Sequence, residues 1–80
     1  MRLKNIDEVD AFIATVDSCE GSVWLESMYG DRFNLKSKLS QYVALGALLG
    51  VDGENLELFC ALPEDRVKFY KYFSEYPGAN

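Results

Sequence analysis

The 80-residue chain contains no histidine, and this absence excludes several kinds of chemistry at once. Ser-His and Cys-His nucleophile pairs need an imidazole base, and many metal sites need an imidazole ligand. The loops contain no glycine-rich phosphate-binding motif either, because Gly30, Gly46, Gly50 and Gly53 fit neither the dinucleotide-binding nor the P-loop spacing. The sequence therefore predicts no catalytic site, no metal site and no cofactor.

Basic residues are few and scattered: 8 Lys and Arg stand against 13 Asp and Glu, which gives a formal net charge of −5. A nucleic-acid-binding protein needs a basic stripe to displace counterions, so no nucleic-acid partner is expected.

Apolar runs are short as well, and none approaches the ~20 residues that span a bilayer. The opening segment MRLKNIDEVD is polar from Lys4 onward and is not a secretory signal. We therefore expect a cytoplasmic protein without membrane contact.

The two cysteines, Cys19 and Cys60, do not have the spacing of a metal site. In a reducing cytosol they are expected to be small core residues rather than a disulfide. Apolar residues make up 49% of the chain, which is enough for one small core. We therefore predict a single domain over residues 1–80.

Apolar residues at helical spacing predict three helices. The first follows an N-cap at Asn5 and ends near Gly21. Its apolar stripe consists of Ile6, Val9, Phe12, Ile13 and Val16. The second helix follows an N-cap at Ser37 and runs to about Leu49. Its predicted inner residues are Leu39, Tyr42, Val43 and Gly46, with Gly46 allowing a close approach to the sheet.

The third helix is PEDRVKFYKYFSEY, from Pro63 to Tyr76, and its aromatic stripe is assigned to the core. Period-two alternation predicts a β-hairpin in SVWLESMYGDRFNL, with its turn at residues 29–31, and a further strand in NLELFCAL. A very short strand is predicted at Arg2–Lys4. Helices that interrupt antiparallel strands are typical of an α+β open-faced sandwich, with the helices covering one face of the sheet.

The segment VWLESMYGDRFNLKSKLSQYVALG resembles the second half of HPr, the phosphocarrier protein of the bacterial sugar phosphotransferase system. The best match is NLKS, Asn34 to Ser37, followed by an apolar helix ending in ALG, a turn, a strand and a last helix. The resemblance covers about Asn5 to Tyr76. It implies a four-stranded antiparallel sheet in the order first, fourth, second, third, with three helices on one face and the first strand short or missing here.

The chain departs from the family at the residue that carries the phosphate. The family's histidine, the arginine two residues on and the proline after it match Asn5, Asp7 and Glu8. Asparagine does not accept a phosphoryl group as imidazole does, and the two carboxylates repel an incoming phosphate. We therefore expect no enzymatic activity. The predicted function is that of a non-catalytic HPr-like protein, a regulatory or protein-binding module related to the phosphotransferase system and to sugar transport.

Two interpretations of Ser37 stay open. In many relatives from Gram-positive bacteria the matching serine is phosphorylated by a dedicated kinase, and a helix N-terminus beside Lys36 and Lys38 favours a phosphate. The alternative is that Ser37 is only a helix cap. The resemblance places a partner-binding surface for phosphotransferase-system components or a regulator on Asn5, Lys36, Ser37, Lys38 and Leu39.

Two other functions are compatible with the sequence. If the first strand is missing, the strand at Leu56–Cys60 has a free edge through which a homodimer would form. The other is an enzyme that works with carboxylates alone. Its candidate residues are Asp7, Glu8, Asp10, Asp17 and Glu20, most of which are expected on the exposed side of the first helix.

Overall fold

The structure, a computed structural model, describes residues 1–4, 6, 8–48 and 56–79. Within these residues the elements are α1 (Val9–Ser18), β1 (Val23–Glu26), β2 (Arg32–Asn34), α2 (Lys38–Leu48), β3 (Glu57–Cys60) and α3 (Pro63–Glu75), followed by a 3-10 turn at Pro77–Ala79. Their order is the predicted one, and the antiparallel sheet confirms the α+β fold class.

The three strands form one antiparallel sheet in the order β2-β1-β3. Leu25 in β1 lies opposite Phe33 in β2 and Leu58 in β3. The residues before α1 extend this sheet, because Arg2 forms an antiparallel bridge with Glu57. The spatial order is therefore N-terminal segment, β3, β1, β2, which is the strand order that the resemblance to HPr implies.

The hairpin turn lies where the sequence predicts it. The N–H of Ser27 donates to the carbonyl of Asp31 at 2.9 Å, and the N–H of Gly30 donates to the carbonyl of Ser27 at 3.1 Å. Gly30 has a φ of +89°, a backbone conformation that favours glycine. One face of the sheet is buried through residues such as Leu25, whereas Trp24 lies half-exposed on the other face. This arrangement is compatible with an open-faced sandwich.

The core contains Phe69, Tyr72 and Phe73 of α3, whereas Tyr70, which the sequence places beside the aromatic stripe, is 57% exposed. Phe12 and Phe69 have no solvent exposure, and their ring centroids are 5.9 Å apart. Cys19 and Cys60 are buried free thiols, which confirms their assignment to the core. Burial raises the pKa of the Cys60 thiol to about 11, so this thiol is protonated and unreactive at neutral pH.

The first helix begins later than predicted. Val9 is its first residue and Glu8 lies at the N-cap without a side-chain capping bond, whereas the sequence suggested a cap at Asn5, which lies outside the described residues. The reason is the pairing of the preceding segment: the N–H of Leu3 donates to the carbonyl of Leu56 at 2.9 Å, within the sheet. The helix begins only after the chain has left this sheet position, and it ends at Ser18 rather than near Gly21.

The prediction of which residues of α2 face the core is wrong. Leu39, Tyr42 and Val43 are 77%, 76% and 58% exposed, and Gly46 is exposed with no atom near its missing Cβ position. The buried residues on the described part of α2 are Gln41 and Ala44, with Leu45 half-buried beside them.

Hydrogen bonds of the Gln41 amide explain this rotation of the helix. The Nε2 of Gln41 donates to the carbonyl of Leu35 at 2.7 Å and to Oδ1 of Asp17 at 3.1 Å. A buried amide must find such partners, because an unpaired one costs about 1–3 kcal/mol. Gln41 therefore faces inward, and the larger apolar side chains at neighbouring positions face solvent.

Candidate functional site

The predicted site residues that the structure describes lie at the junction of β2 and α2. They are Lys36, Ser37, Lys38 and Leu39, in consecutive positions across the start of the helix. Asn5, the remaining predicted residue, lies outside the described part of the chain.

Ser37 occupies the N-cap of α2. Its Oγ accepts a long hydrogen bond from the N–H of Ser40 at 3.5 Å, and its carbonyl accepts the N–H of Gln41 at 2.9 Å. The turn before it is held by Asn34, whose Oδ1 accepts the N–H of Lys36 at 3.0 Å. Ser37 therefore caps the helix in this structure, and its phosphorylation stays a proposal.

The ammonium of Lys36 is used inside the protein. It donates to the carbonyls of Cys19, Val16 and Asp17 at 2.6, 3.2 and 3.4 Å, around the C-terminal end of α1. These carbonyls lie at the C-terminal end of α1, where the helix dipole is negative, so a cation is favoured there. Lys36 thus joins the end of α1 to the start of α2.

Lys38 is also bound to α1. Its ammonium lies 3.0 Å from Oδ2 of Asp17, and hydrogen bonds from Lys38 and Gln41 lower the pKa of the Asp17 carboxyl. A phosphate on Ser37 would therefore compete with Asp17 for Lys38. Both lysines beside Ser37 thus contact α1, while the Lys38 side chain stays 72% exposed.

The carboxylates of the enzyme alternative do not meet in a buried pocket. Glu8, Asp10, Asp17 and Glu20 are all exposed, and Asp7 lies outside the described residues. General acid catalysis at neutral pH requires a raised carboxyl pKa, whereas that of Asp17 is lowered. Nothing in this geometry favours acid–base chemistry.

The exposed residues Leu39, Tyr42 and Val43 form a surface that we call the α2 apolar face. A groove of about 390 Å³ continues it toward α1. The groove is lined by Val9, Asp10, Ile13, Lys38, Gln41, Tyr42 and Leu45. The sequence predicted Leu39 as a contact residue but placed Tyr42 and Val43 in the core, because YVAL is apolar at every position and periodicity alone does not identify its buried side.

The edge of β3 is largely paired within the chain. The N–H of Leu58 donates to the carbonyl of Met1 at 2.6 Å, and the Met1 ammonium donates to the carbonyl of Leu58 at 3.0 Å. The N–H of Leu3 continues this pairing to Leu56. The free edge that the homodimer alternative requires at Leu56–Cys60 is therefore covered over most of its length.

Comparison of the chain with protein-family models, curated proteins and solved structures found no match. The resemblance to HPr therefore rests on the NLKS segment and on the order of the elements. Among the described residues, no group of three or more His, Cys, Asp or Glu side chains is placed to hold a metal ion. Within the same residues, no helix has the length and apolar character needed to cross a membrane.

Lys36→Met is expected to lower the free energy of unfolding by about 1 kcal/mol, because the terminal carbonyls of α1 lose their cation. Urea denaturation followed by circular dichroism measures the change. Lys71→Met is the matched control, since among the described residues the exposed Lys71 ammonium has no hydrogen-bond acceptor. That control should change stability by less than about 0.5 kcal/mol. Equal losses in the two variants would contradict the capping role of Lys36.

Proposed function

We propose that the chain is a non-catalytic HPr-like protein that regulates phosphotransferase-system components by binding them through the α2 apolar face. The observation that carries this proposal is the exposure of three large apolar side chains, Leu39, Tyr42 and Val43, on adjacent turns of one helix. Contiguous exposed apolar surface of this kind marks protein-interaction sites. The link to the phosphotransferase system comes from the resemblance in NLKS and the element order, and the lack of histidine supports the non-catalytic role.

The same proposal makes Ser37 the point at which binding is regulated. Ser37 lies two positions from Leu39, and a phosphate there adds about −1.5 to −2 charges at the border of the α2 apolar face. It also draws Lys38 away from Asp17, to which Lys38 is paired at 3.0 Å. Phosphorylation would therefore change both the charge of the face and the junction between α1 and α2.

Phosphotransfer assays test the non-catalytic role and the regulatory site separately. With the general phosphotransferase enzyme and labelled phosphoenolpyruvate, we expect label on an HPr control and none on this chain. Stable label on this chain would refute the non-catalytic role. With HPr serine kinase and labelled ATP, the regulatory proposal expects label on the wild type and none on Ser37→Ala. An unlabelled wild type would leave Ser37 with its capping role alone.

Binding to these proteins tests the α2 apolar face. The double variant Leu39→Ser/Val43→Ser should bind the general enzyme or the kinase at least about tenfold more weakly, the size of a hot-spot loss. Isothermal titration calorimetry measures the affinity. Val67→Ser is the control, because Val67 is equally exposed but lies on α3. The proposal fails if neither protein binds the wild type, or if the control weakens binding as much.

A further inference from the structure

The pairing between β3 and the N-terminal segment stops one position before the end of the strand. Leu58 exchanges two hydrogen bonds with Met1, so the N–H and carbonyl of Leu58 point away from β1 and toward the N-terminal segment. In an antiparallel sheet this direction recurs at every second residue, so the N–H and carbonyl of Cys60 point to the same side. No described residue forms a backbone hydrogen bond with Cys60 on that side. The edge of β3 therefore has an open pairing position at Cys60.

A cavity of about 230 Å³ lies at this open position. It is lined by Met1, Leu58, Phe59, Cys60, Arg66 and Tyr70. Although Cys60 is buried, its place in the lining means that a ligand in the cavity reaches it. Two groups in the lining are positively charged, the Met1 ammonium and the Arg66 guanidinium, and none of the lining residues is acidic. The cavity therefore combines apolar and aromatic walls with positive charge, which suits an anion attached to an apolar group.

The positive charge of Arg66 is not neutralised by its neighbours. Arg66 is exposed, and among the described residues it forms no hydrogen bond and no ion pair. Glu64 lies two positions earlier, about 200° around the helix, and so faces a different direction. Asp65 is buried and already paired with Lys68 at 3.3 Å. The guanidinium therefore keeps its donors for an anionic ligand.

The Met1 ammonium sets the direction in which a ligand lies. It donates to the carbonyl of Leu58 at 3.0 Å, which uses one of the three protons of an ammonium. A segment that paired with Cys60 and ran in the same direction as residues 1–3 would end beside this ammonium, with its carboxyl group foremost. Burial raises the pKa of the Cys60 thiol, and Arg66 and the Met1 ammonium both act in the opposite sense, so both charges lie near Cys60. A carboxyl terminus therefore meets two positive groups here.

We infer that this cavity binds the free carboxyl terminus of an extended peptide. The last residue of the peptide pairs with Cys60 as Met1 pairs with Leu58, and its carboxylate accepts the N–H of Cys60. The same carboxylate lies between the Met1 ammonium and the Arg66 guanidinium. Because directly paired residues share a face of the sheet, the last side chain lies beside Tyr70 and is expected to be apolar. Adding a strand to a sheet edge and capturing a terminal carboxylate are both established modes of peptide recognition.

The site is separate from the α2 apolar face. None of its lining residues belongs to α2, and its ligand is a peptide end rather than a folded partner. The inference therefore goes beyond the proposed function and does not depend on it. Because only one residue is paired and the charges are exposed, the affinity is expected to be weak.

Nuclear magnetic resonance titration of the 15N-labelled chain, with a free amine at Met1, tests the inference. The probe is the peptide acetyl-Val-Thr-Val with a free carboxyl terminus, which should shift the amide signal of Cys60. The same peptide amidated at its carboxyl terminus should bind at least about tenfold more weakly, because it lacks the charged acceptor. Isovalerate has the carboxylate and the isopropyl group of valine but no amide N–H to pair with the carbonyl of Cys60. It should therefore also bind at least about tenfold more weakly than the free peptide.

Two changes to the protein test the positive groups. Arg66→Gln should weaken binding of the free peptide about fivefold, the size of one exposed ion pair. Acetylation of the Met1 amine should weaken it by a similar factor. Lys71→Gln is the matched control, because Lys71 is also exposed on α3 but does not line the cavity, and it should leave the affinity within about twofold. Both variants change exposed side chains, and circular dichroism verifies that each remains folded.

Four results would overturn the inference: no shift of the Cys60 amide, equal binding of the amidated and the free peptide, equal binding of isovalerate, or equal weakening by Arg66→Gln and Lys71→Gln. None of these results bears on the α2 apolar face, whose titrations with phosphotransferase proteins judge the proposed function separately. Conversely, loss of those titrations with peptide binding intact would end the proposed function alone.

Discussion

Asp65→Ala is expected to lower the free energy of unfolding by about 2–5 kcal/mol, because two backbone N–H groups each lose a charged acceptor at a cost of about 1–3 kcal/mol. Asp65 is 1% exposed although it lies in the first turn of α3. Its carboxylate accepts the N–H groups of Gly21 and Glu20 at 2.8 and 3.1 Å and lies 3.3 Å from the Lys68 ammonium. The substitution leaves both N–H groups without their acceptor at the point where the α1–β1 loop meets α3.

Thermal and urea unfolding measure this loss. For a domain of this size, each kcal/mol lowers the melting temperature by roughly 4–8 °C, so the variant should melt far below the wild type. Glu64→Ala is the control, because Glu64 is the preceding residue and is exposed. It should change stability by less than about 0.5 kcal/mol. A loss below about 1 kcal/mol in Asp65→Ala, the size of an ordinary hydrogen bond, would contradict the role given to Asp65.

The same carboxylate should contribute to acid unfolding. Burial raises the pKa of Asp65, but the hydrogen bonds from Gly21, Glu20 and Lys68 outweigh burial and hold the pKa below its usual 3.8. Because the folded-state pKa is the lower one, the stabilisation is complete above the unfolded-state pKa and is lost as the pH falls through the folded-state value. Stability measured below about pH 4 should therefore fall less steeply in Asp65→Asn than in the wild type. Parallel curves would contradict this assignment.

Local patterns in the sequence predict much of the fold. Alternation in VWLE and ELFC identifies two strands and their buried sides, and the turn at Gly30 identifies the hairpin. Pro63 and Pro77 bound the last helix on either side, as proline does in most helices. Each of these signals lies within a few residues of the element that it determines.

The remaining features depend on contacts between residues far apart in the chain. From its local sequence, Asp65 is predicted to be an ordinary exposed acidic residue in the first turn of a helix. It is buried because its hydrogen-bond partners, Glu20 and Gly21, lie more than forty residues earlier in the chain. Gln41 is likewise predicted to be an exposed polar residue. It is buried because the Leu35 carbonyl and the Asp17 carboxylate accept hydrogen bonds from its amide. No local pattern reveals such partners.

The predicted partner-binding surface stays a prediction, but the local structure at its centre can be compared with the sequence. The junction at residues 36–39 was recognised from NLKS, and Ser37 is the helix cap that the sequence suggested. The lysines beside it are predicted to belong to a partner-binding surface; their ammonium groups contact the end of α1, and partner binding stays a prediction. Tyr42 and Val43 were missed because a helix that is apolar nearly all round does not show which side is buried.

Phe12→Ala is expected to cost about 3–5 kcal/mol, the range for removing a fully buried aromatic side chain. Phe12 has no solvent exposure and joins α1 to α3. Its ring lies 5.9 Å from that of Phe69 and 5.8 Å, edge-on, from that of Tyr72. Domains of this size have about 0.05–0.15 kcal/mol of stability per residue, so the loss would remove a large share of the total. Urea titration at low temperature, followed by circular dichroism, measures it.

Two further variants separate the loss of packing from the loss of an aromatic ring as such. Phe12→Leu keeps most of the volume and should cost less than about 1.5 kcal/mol. Tyr29→Ala removes an aromatic residue from the exposed hairpin turn and should change stability by less than about 0.5 kcal/mol. If Phe12→Ala cost no more than Tyr29→Ala, α1 would not be packed against α3. The junction that Lys36 and Asp17 form at the end of α1 would then lack the rigid support on which the position of the α2 apolar face depends.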